Sequence, residues 1–393
     1  MQILLIGKGK SNELLKIELE KNNNNVKFAI EDYEKIDNDC IYKKNVNINE
    51  YDMFYVAPGV PNNDPLLLEL KKNNKYISSE LEYSLKRLKN NKIIAITGSN
   101  GKTTVASLLS YILKKKNIKH VLAGNIGTPL VKYINISIDT LIILEVSSFQ
   151  LERVNNLKPY ISIITNITPN HLDRHSLEDY IKIKKKIYSL QDKDSFLITN
   201  NDTKYKYEIN PNVKIKIIKR KNIKTKYLIG NHNIENINYV IQILKILKIK
   251  NYIRIIKKYK GVKYRLEYLG KYKKTKIYND AKSTTIYSTI SALNSLKGKT
   301  LLILGGKNKN IDYSIINNLE IQKIIMYGEE TKYTSLKINK YLTLKDAFKY
   351  VKTNILEYDN ILFSPGFTSL DQYESYIERG KEFEKLCKES FKL

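Results

Sequence analysis

The sequence predicts an α/β protein built on parallel sheets and divided into two or three domains. Three observations carry that expectation. Short β-rich runs alternate with helical patterns almost throughout, the order that parallel sheets with crossover helices produce. Several of these runs end in Gly or polar residues, where ligands of open α/β sheets sit. A chain of 393 residues with 42% hydrophobic content is too long for one ordinary core and apolar enough for several.

In chain order, MQILLIG (1–7) reads as a strand entering a Gly turn, and MFYVAPG (53–59) as a strand stopped by Pro58-Gly59. The Lys/Asn-rich KRLKNNK marks a boundary near residue 91. KIIAIT (92–97) is a strand running into ITGSNGKTT (96–104), after which Val105, Leu108, Leu109, Ile112 and Leu113 recur at helical spacing. LIILE (141–145), ISIITN (161–166), FLITN (196–200), LLILGG (301–306) and ILFSPG (361–366) continue the strand series, with a second boundary near 260 after KKYKG. The expected divisions are therefore 1–91, 92–260 and 261–393.

The formal charge of +28 suggests a polyanion partner, but its make-up argues otherwise. Only seven of the 68 basic residues are arginine, the residue that reads phosphates and guanine through its planar fork. The lysines are spread along the chain beside many Asn and Ile and 30 Tyr, with no Trp. A strongly AT-biased genome explains that composition at least as well, so no specific nucleic-acid partner is expected. There is no run of about 18 apolar residues, and MQILLIG opens without a basic segment and cleavage site. The expectation is a cytoplasmic protein without membrane insertion. Cys40 and Cys387 stand far apart without metal or disulfide spacing and read as ordinary thiols.

GSNGKTT has two residues, Ser99 and Asn100, between Gly98 and the Gly101-Lys102 pair, where the usual phosphate loop has four. Its position between strand and amphipathic helix still favours a phosphate cradle. Gly98 and Gly101 permit a sharp bend, helix N–H groups converge on anionic oxygens, Lys102 adds a point charge, and Thr103 offers a hydroxyl to Mg²⁺. Glu145 ends an apolar strand, either as an oxygen ligand for a hard cation or as a rim charge. His171 and Asp173 in NITPNHLDRH follow another strand, as loop residues or ligands. Lys184, in YIKIKKKIY, reads from composition as part of a solvated basic face. In GNHNIEN, Asn233 and Asn236 lie three apart on one helical face and suit either a base edge or helix capping. NDAKSTT and LGGKNKN offer Lys282 and Lys309 to phosphates or carboxylates, and SPGFTSLDQYESYIERGKEF offers Ser369 to a small anion.

Together these motifs resemble the Mur ligases. The compact TGSNGKTT loop, AGNIGTP (123–129), LEVSSFQLE (144–152), NITPNHLDRH, GNHNIEN, NDAKSTT, LGGKNKN and SPGFTSLDQYESYIERGKEF occur in the family's order, over roughly residues 90–390. SSFQLE and the SLDQ…RG…F pattern are similar to the D-glutamate-adding branch, and the DNPR-type motif of the diaminopimelate/lysine-adding branch is missing.

The resemblance implies an N-terminal Rossmann-like domain for UDP, a central P-loop ATPase-type α/β domain and a C-terminal Rossmann-like domain for the incoming amino acid. It implies ATP-dependent joining of D-glutamate to UDP-N-acetylmuramoyl-L-alanine through an acyl phosphate, a step of peptidoglycan precursor synthesis, with ATP and two Mg²⁺, by a monomer. Gly98, Ser99, Asn100, Gly101, Lys102, Thr103 and Thr104 match the ATP phosphate loop. Asn233 and Asn236 match adenine contacts, Asp280 a ribose contact, and Arg265 and Lys282 phosphate contacts. Thr103 and Glu145 match ligands of one Mg²⁺; His171 and Lys184 match ligands of a second, Lys184 as the lysine that the family carbamylates. Lys102, His171, Lys184 and Lys282 are the expected catalytic set. Ser11, Glu31, Gly59 and Asn125 are assigned to the UDP substrate, and Thr284, Lys309, Ser369 and Tyr376 to D-glutamate.

The sequence also departs from the family pattern. Asn12 replaces the small residue of a full G-x-G-x-x-G, no arginine stands beside Glu31-Asp32, and Lys307 and Asn170 occupy positions that are usually acidic. Tyr376 stands where Phe is common. Two rival ligases remain, the L-alanine-adding Mur ligase and folylpolyglutamate synthase, as does a non-catalytic ATP- or polyanion-binding protein on the same fold.

Overall fold

A computed structural model describes residues 1–393 except 33, 35, 36, 169–173, 210, 211, 309–312, 319 and 320. The described residues form three sheets, each surrounded by helices. They group into two compact units, Met1–Lys221 with Glu235–Tyr252, and Asn222–Ile234 with Ile253–Leu393.

In the first unit, one sheet comprises β1 (Gln2–Ile6), β2 (Asn25–Ile30), β3 (Cys40–Tyr42), β4 (Met53–Val56) and β5 (Ile77–Ser78), all parallel, in the order β3-β2-β1-β4-β5. Its central strand is buried on both faces because alternate residues enter different cores. Ile3 and Leu5 pack with Leu15 and Leu19 of the helix Lys10–Glu20, while Leu4 and Ile6 pack with Leu66, Leu67 and Leu70 of the helix Pro65–Lys72. The near-continuous apolar run QILLI follows from that double burial.

The second sheet of this unit comprises β6 (Ile93–Thr97), β7 (His120–Gly124), β8 (Leu141–Glu145), β9 (Ile161–Ile164), β10 (Phe196–Thr199) and β11 (Lys214–Ile217). It is also parallel, ordered β11-β10-β9-β6-β8-β7. Strand order reverses around β6, so the loop after it occupies the crevice where open α/β sheets bind ligands. The following helix, Lys102–Lys115, buries Val105, Leu108, Leu109, Ile112 and Leu113, the residues whose spacing predicts it.

Buried carboxylates tie these two sheets together. The helix Glu80–Leu85 is capped by Ser79; Glu80 Oε1 accepts from the Val131 N–H at 2.7 Å and the Ser84 hydroxyl at 3.1 Å, and Glu82 accepts from the N–H groups of Asn155 and Asn156. Burial pushes the Glu80 carboxyl up to about 7 from its ordinary 4.5. Between those values the folded state binds the extra proton, so the stability present at low pH is lost as pH rises through 7. Glu80→Gln is expected to remove this dependence and raise the unfolding free energy at about pH 8.5 by roughly 3 kcal/mol. Urea titrations at about pH 5 and about pH 8.5 check this; equal slopes for both proteins would refute it.

The second unit carries β12 (Glu267–Tyr272), β13 (Thr275–Asn279), β14 (Thr300–Gly305), β15 (Lys323–Tyr327), β16 (Asn339–Tyr341) and β17 (Asn360–Gly366), ordered β12-β13-β17-β14-β15-β16. Among these six described strands, β12 and β13 pair antiparallel and the other neighbours pair parallel. Leu301 and Ile303 face the helices Leu344–Asn354 and Tyr376–Phe391, while Leu302 and Leu304 face the helix Ile286–Leu293. Cys40 and Cys387 are buried free thiols. No helix among the described residues is long and apolar enough to cross a membrane.

Candidate functional site

The loop after β6 is a tight cradle whose shape depends on two glycines. Gly98 (φ +146°) and Gly101 (φ +84°) occupy backbone regions that side chains strain. A Cβ at Gly98 would also collide with Thr165 Oγ1, and one at Gly101 with Asn236 Oδ1. The cradle is braced from the end of β9: Asn166 accepts the Ser99 N–H through its backbone oxygen and the Asn100 N–H through Oδ1, both at 2.9 Å, and Thr165 Oγ1 donates to Asn100 O at 2.6 Å. Ser99 Oγ donates to Thr168 O at 2.9 Å and lies 3.1 Å from the Tyr180 hydroxyl. The helix then begins at Lys102, and its first-turn N–H groups have no acceptor inside the helix.

Lys102 Nζ donates to the carbonyls of Gly98 at 2.7 Å and Ser99 at 3.0 Å, which places its charge over the cradle. Lys184 approaches the same loop from the helix Leu177–Lys185, donating to Gly98 O at 3.0 Å and Thr97 Oγ1 at 3.4 Å, with its ammonium 4.5 Å from the centre of the Tyr180 ring. It is 1% exposed, not a member of the solvated face that composition suggests. Burial, and secondarily the charge of Lys102, hold its ammonium well below the ordinary lysine range. Tyr180 is four residues earlier and so on the same helix face.

Glu145 closes this side of the site. Its Oε1 accepts from Thr103 Oγ1 at 3.3 Å and Asn125 Nδ2 at 2.8 Å, whereas Oε2 is buried without a hydrogen-bond partner among the described residues. An orphan carboxylate oxygen beside a hydroxyl fits Mg²⁺, which takes one or two protein oxygens and completes its shell with water and phosphate. No cluster of three or more His, Cys, Asp or Glu side chains suited to a metal exists among the described residues. His171 lies outside the described residues.

A second concavity lies at the carboxyl ends of β1, β2 and β4, where the order of the first sheet reverses. It measures about 840 Å³ and is lined by Gly7, Lys8, Glu31, Lys43, Gly59 and Val60 among others. Glu31 and Gly59 thus share a cleft; Ser11 is in the first turn of Lys10–Glu20 and does not line it, and Asn125 sits at Glu145. Lys43, not singled out from sequence, pairs with Glu31 at 2.9 Å and Asp64 at 2.6 Å. It puts a cation where no arginine stands in the sequence.

The second unit gathers another group at the ends of β13, β14 and β17. Arg379, fully buried, donates to the carbonyls of Ala281, Gly305 and Phe367 at 3.0–3.3 Å and so ties these ends together. Around it, Lys282 Nζ lies 5.8 Å from the centre of the Tyr376 ring, Ser369 is buried, and Thr284 is half-buried. Asp280 is buried with both oxygens engaged: Oδ1 accepts from the Leu266 N–H, and Oδ2 from Ser283 and Ser364. Burial pushes its carboxyl up to about 6. Arg265 is half-buried and its charge, after burial, lowers the proton affinity of His232. Lys309 lies outside the described residues. Asn233 and Asn236 share the helix Asn231–Ile246, which starts in this unit and continues in the first, where Asn236 abuts Gly101.

The Mur ligase middle domain profile matches residues 96–279. The chain is 31% identical over 379 residues to the UDP-N-acetylmuramoylalanine–D-glutamate ligase of Koribacter versatilis, spanning 86% of this chain and 83% of that protein. It is 33% identical over 367 residues to the ligase of the same name from Francisella tularensis, spanning 87% and 86%. Among solved structures, it resembles the MurF ligase of Thermotoga maritima in complex with ADP (TM-score 0.61, 16% identity, 98% of this chain and 95% of that one). It also resembles the UDP-N-acetylmuramate-alanine ligase MurC of the same organism (TM-score 0.59, 17% identity, 99% and 100%), and both likenesses support the three-domain fold. With the compact cradle at the strand switch, the buried Glu145–Thr103 pair and this likeness over most of its length, the chain belongs to the UDP-N-acetylmuramoylalanine–D-glutamate ligase family of Mur ligases.

Proposed function

We propose that this chain uses ATP to join D-glutamate to UDP-N-acetylmuramoyl-L-alanine, a cytoplasmic step of peptidoglycan precursor synthesis, and that it acts as a monomer divided functionally at about residues 91 and 260. The observation that carries the proposal is the cradle: two positive-φ glycines, Lys102, and the orphan Glu145 Oε2 beside Thr103. The relatives' shared name supplies the substrate pair.

A carboxylate is a poor electrophile, so the chemistry requires activation before an amine attacks. The substrate carboxylate oxygen displaces ADP from the γ-phosphorus of ATP, giving an acyl phosphate. The D-glutamate nitrogen attacks the acyl carbon, loses a proton, and phosphate departs as the C–O bond breaks. The helix N-terminus and Lys102 offset charge on the transferring phosphoryl group. Thr103 and Glu145 would hold one Mg²⁺, and His171 with a carbamylated Lys184 would hold a second; such ions would supply positive charge to neutralise the phosphate oxygens. The uridine end occupies the cleft of Gly7, Glu31 and Gly59, with Ser11 and Asn125 toward the rest of that substrate. Asn233, Asn236, Arg265, Asp280 and Lys282 serve ATP, and Thr284, Lys309, Ser369 and Tyr376 receive D-glutamate.

Phosphate release with UDP-N-acetylmuramoyl-L-alanine is expected on adding D-glutamate, and not L-glutamate or L-alanine. Release driven by L-alanine with UDP-N-acetylmuramate, or by L-glutamate with folate, would replace this reading with one of the rival ligases.

A further inference from the structure

We infer that Arg174 is a positioning residue for the UDP-linked substrate, shaping the nucleotide cleft from the opposite sheet of the same unit; this rests on the assignment of that cleft made above. The loop after β4 lines the cleft with Gly59, Val60 and Pro61. Its carbonyls turn to the second sheet's loops. Arg174 donates through Nη1 to Pro58 O at 3.0 Å and Gly59 O at 3.4 Å, and through Nη2 to Val60 O at 3.0 Å. Arg153 adds Nη2 bonds to Val60 O and Asn62 Oδ1, both at 2.8 Å.

Both arginines are 10% exposed and share one carboxylate, Glu152, itself 4% exposed. Arg174 lies 2.7 Å from Glu152 Oε2, and His175 Nε2 3.0 Å from Oε1. The Arg174 guanidinium also lies 4.3 Å from the centre of the Phe149 ring. Phe149 belongs to the turn Ser148–Leu151, immediately beyond β8 and Glu145. One planar fork therefore connects the wall of the nucleotide cleft to the strand end that carries Glu145. Such an arrangement holds both ends of a long substrate in register, so that its carboxylate meets the phosphate loop while its uridine fills the cleft. Lysine keeps the charge but not the fork, and a single ammonium cannot reproduce this spread of carbonyl bonds.

The test is calorimetric binding of UDP-N-acetylmuramoyl-L-alanine and, separately, of a non-hydrolysable ATP analogue to the full chain and to Arg174→Lys. The expected result is at least ~10-fold weaker binding of the UDP compound, with ATP-analogue affinity and melting temperature unchanged. Unchanged affinity for the UDP compound in the variant overturns the inference and leaves the function intact. Parallel loss of both ligands overturns it in favour of a purely structural brace. A wild-type chain that binds no UDP compound overturns the cleft assignment and the inference with it. Arg153→Lys, which touches the same loop through Val60 and Asn62, reads the same coupling if Arg174→Lys does not fold; unchanged UDP-compound affinity there is equally contradictory.

Discussion

Replacing Lys102 with alanine is expected to lower the rate of D-glutamate ligation by about 10²–10³-fold while the protein remains folded. The lysine sits in the first turn of the helix after β6 with its ammonium on the carbonyls of Gly98 and Ser99. Those two bonds contribute little to overall stability, because neutral carbonyls at a part-buried loop are readily hydrated. The charge matters far more once a phosphoryl group is in transfer, when several negative oxygens need offsetting in a site that excludes water. Loss should therefore appear in kcat. A second effect follows from electrostatics: the Lys102 charge helps hold Lys184 neutral, so its removal raises the proton affinity of Lys184 and disfavours any reaction of that amine with CO₂. Steady-state kinetics and a melting curve on Lys102→Ala check the first point. A loss of less than about tenfold would remove the lysine from the phosphoryl-transfer step.

Lys184→Ala carries the second large effect, a loss of at least ~10²-fold. An ammonium at this position would be costly, being almost fully buried, with the Gly98 carbonyl, the Thr97 hydroxyl and the Tyr180 ring as its partners among the described residues and a second lysine nearby. A neutral amine is the form that combines with CO₂, losing a proton to become a carbamate and turning a cation into an anionic oxygen donor. If that is its role, chloride or formate in excess should restore part of the lost rate in Lys184→Ala by entering the vacated space as an anion. Full activity without rescue would take Lys184 out of the site. An inactive variant that no anion restores would indicate that the amine itself, bonded to Gly98 O, is what the loop needs.

Much of this arrangement was legible in the sequence, and what was not has physical reasons. The strands at the centre of each sheet carry uninterrupted apolar runs, so QILLI, IIAIT, LIILE and TLLILG announce themselves. Edge strands do not: KIKI of β11 and NKY of β16 keep exposed lysines and asparagines, because only one side of an edge needs a partner. The compact GSNGK loop was readable because its glycines have a backbone reason to be there. Lys184 was readable only by resemblance, since nothing in IKIKKK distinguishes the one lysine that is buried from its exposed or half-buried neighbours Lys182, Lys185 and Lys186. The brace at Arg174, Arg153 and Glu152 was invisible for a different reason: its partners are backbone carbonyls more than 90 residues away in the chain. Carbonyl acceptors leave no mark on side-chain identity. The same holds for Arg379, whose three acceptors are carbonyls at the strand ends of the second unit.

The central claim is that the cradle delivers a phosphoryl group to the substrate carboxylate and that D-glutamate then displaces it. The most direct measurement is one turnover with UDP-N-acetylmuramoyl-L-alanine labelled with ¹⁸O in its alanyl carboxylate, read by the isotope shift of the phosphate released. Activation through an acyl phosphate predicts one labelled oxygen in each inorganic phosphate formed, released in step with D-glutamate incorporation. Unlabelled phosphate, or phosphate released at the same rate without D-glutamate, would contradict it.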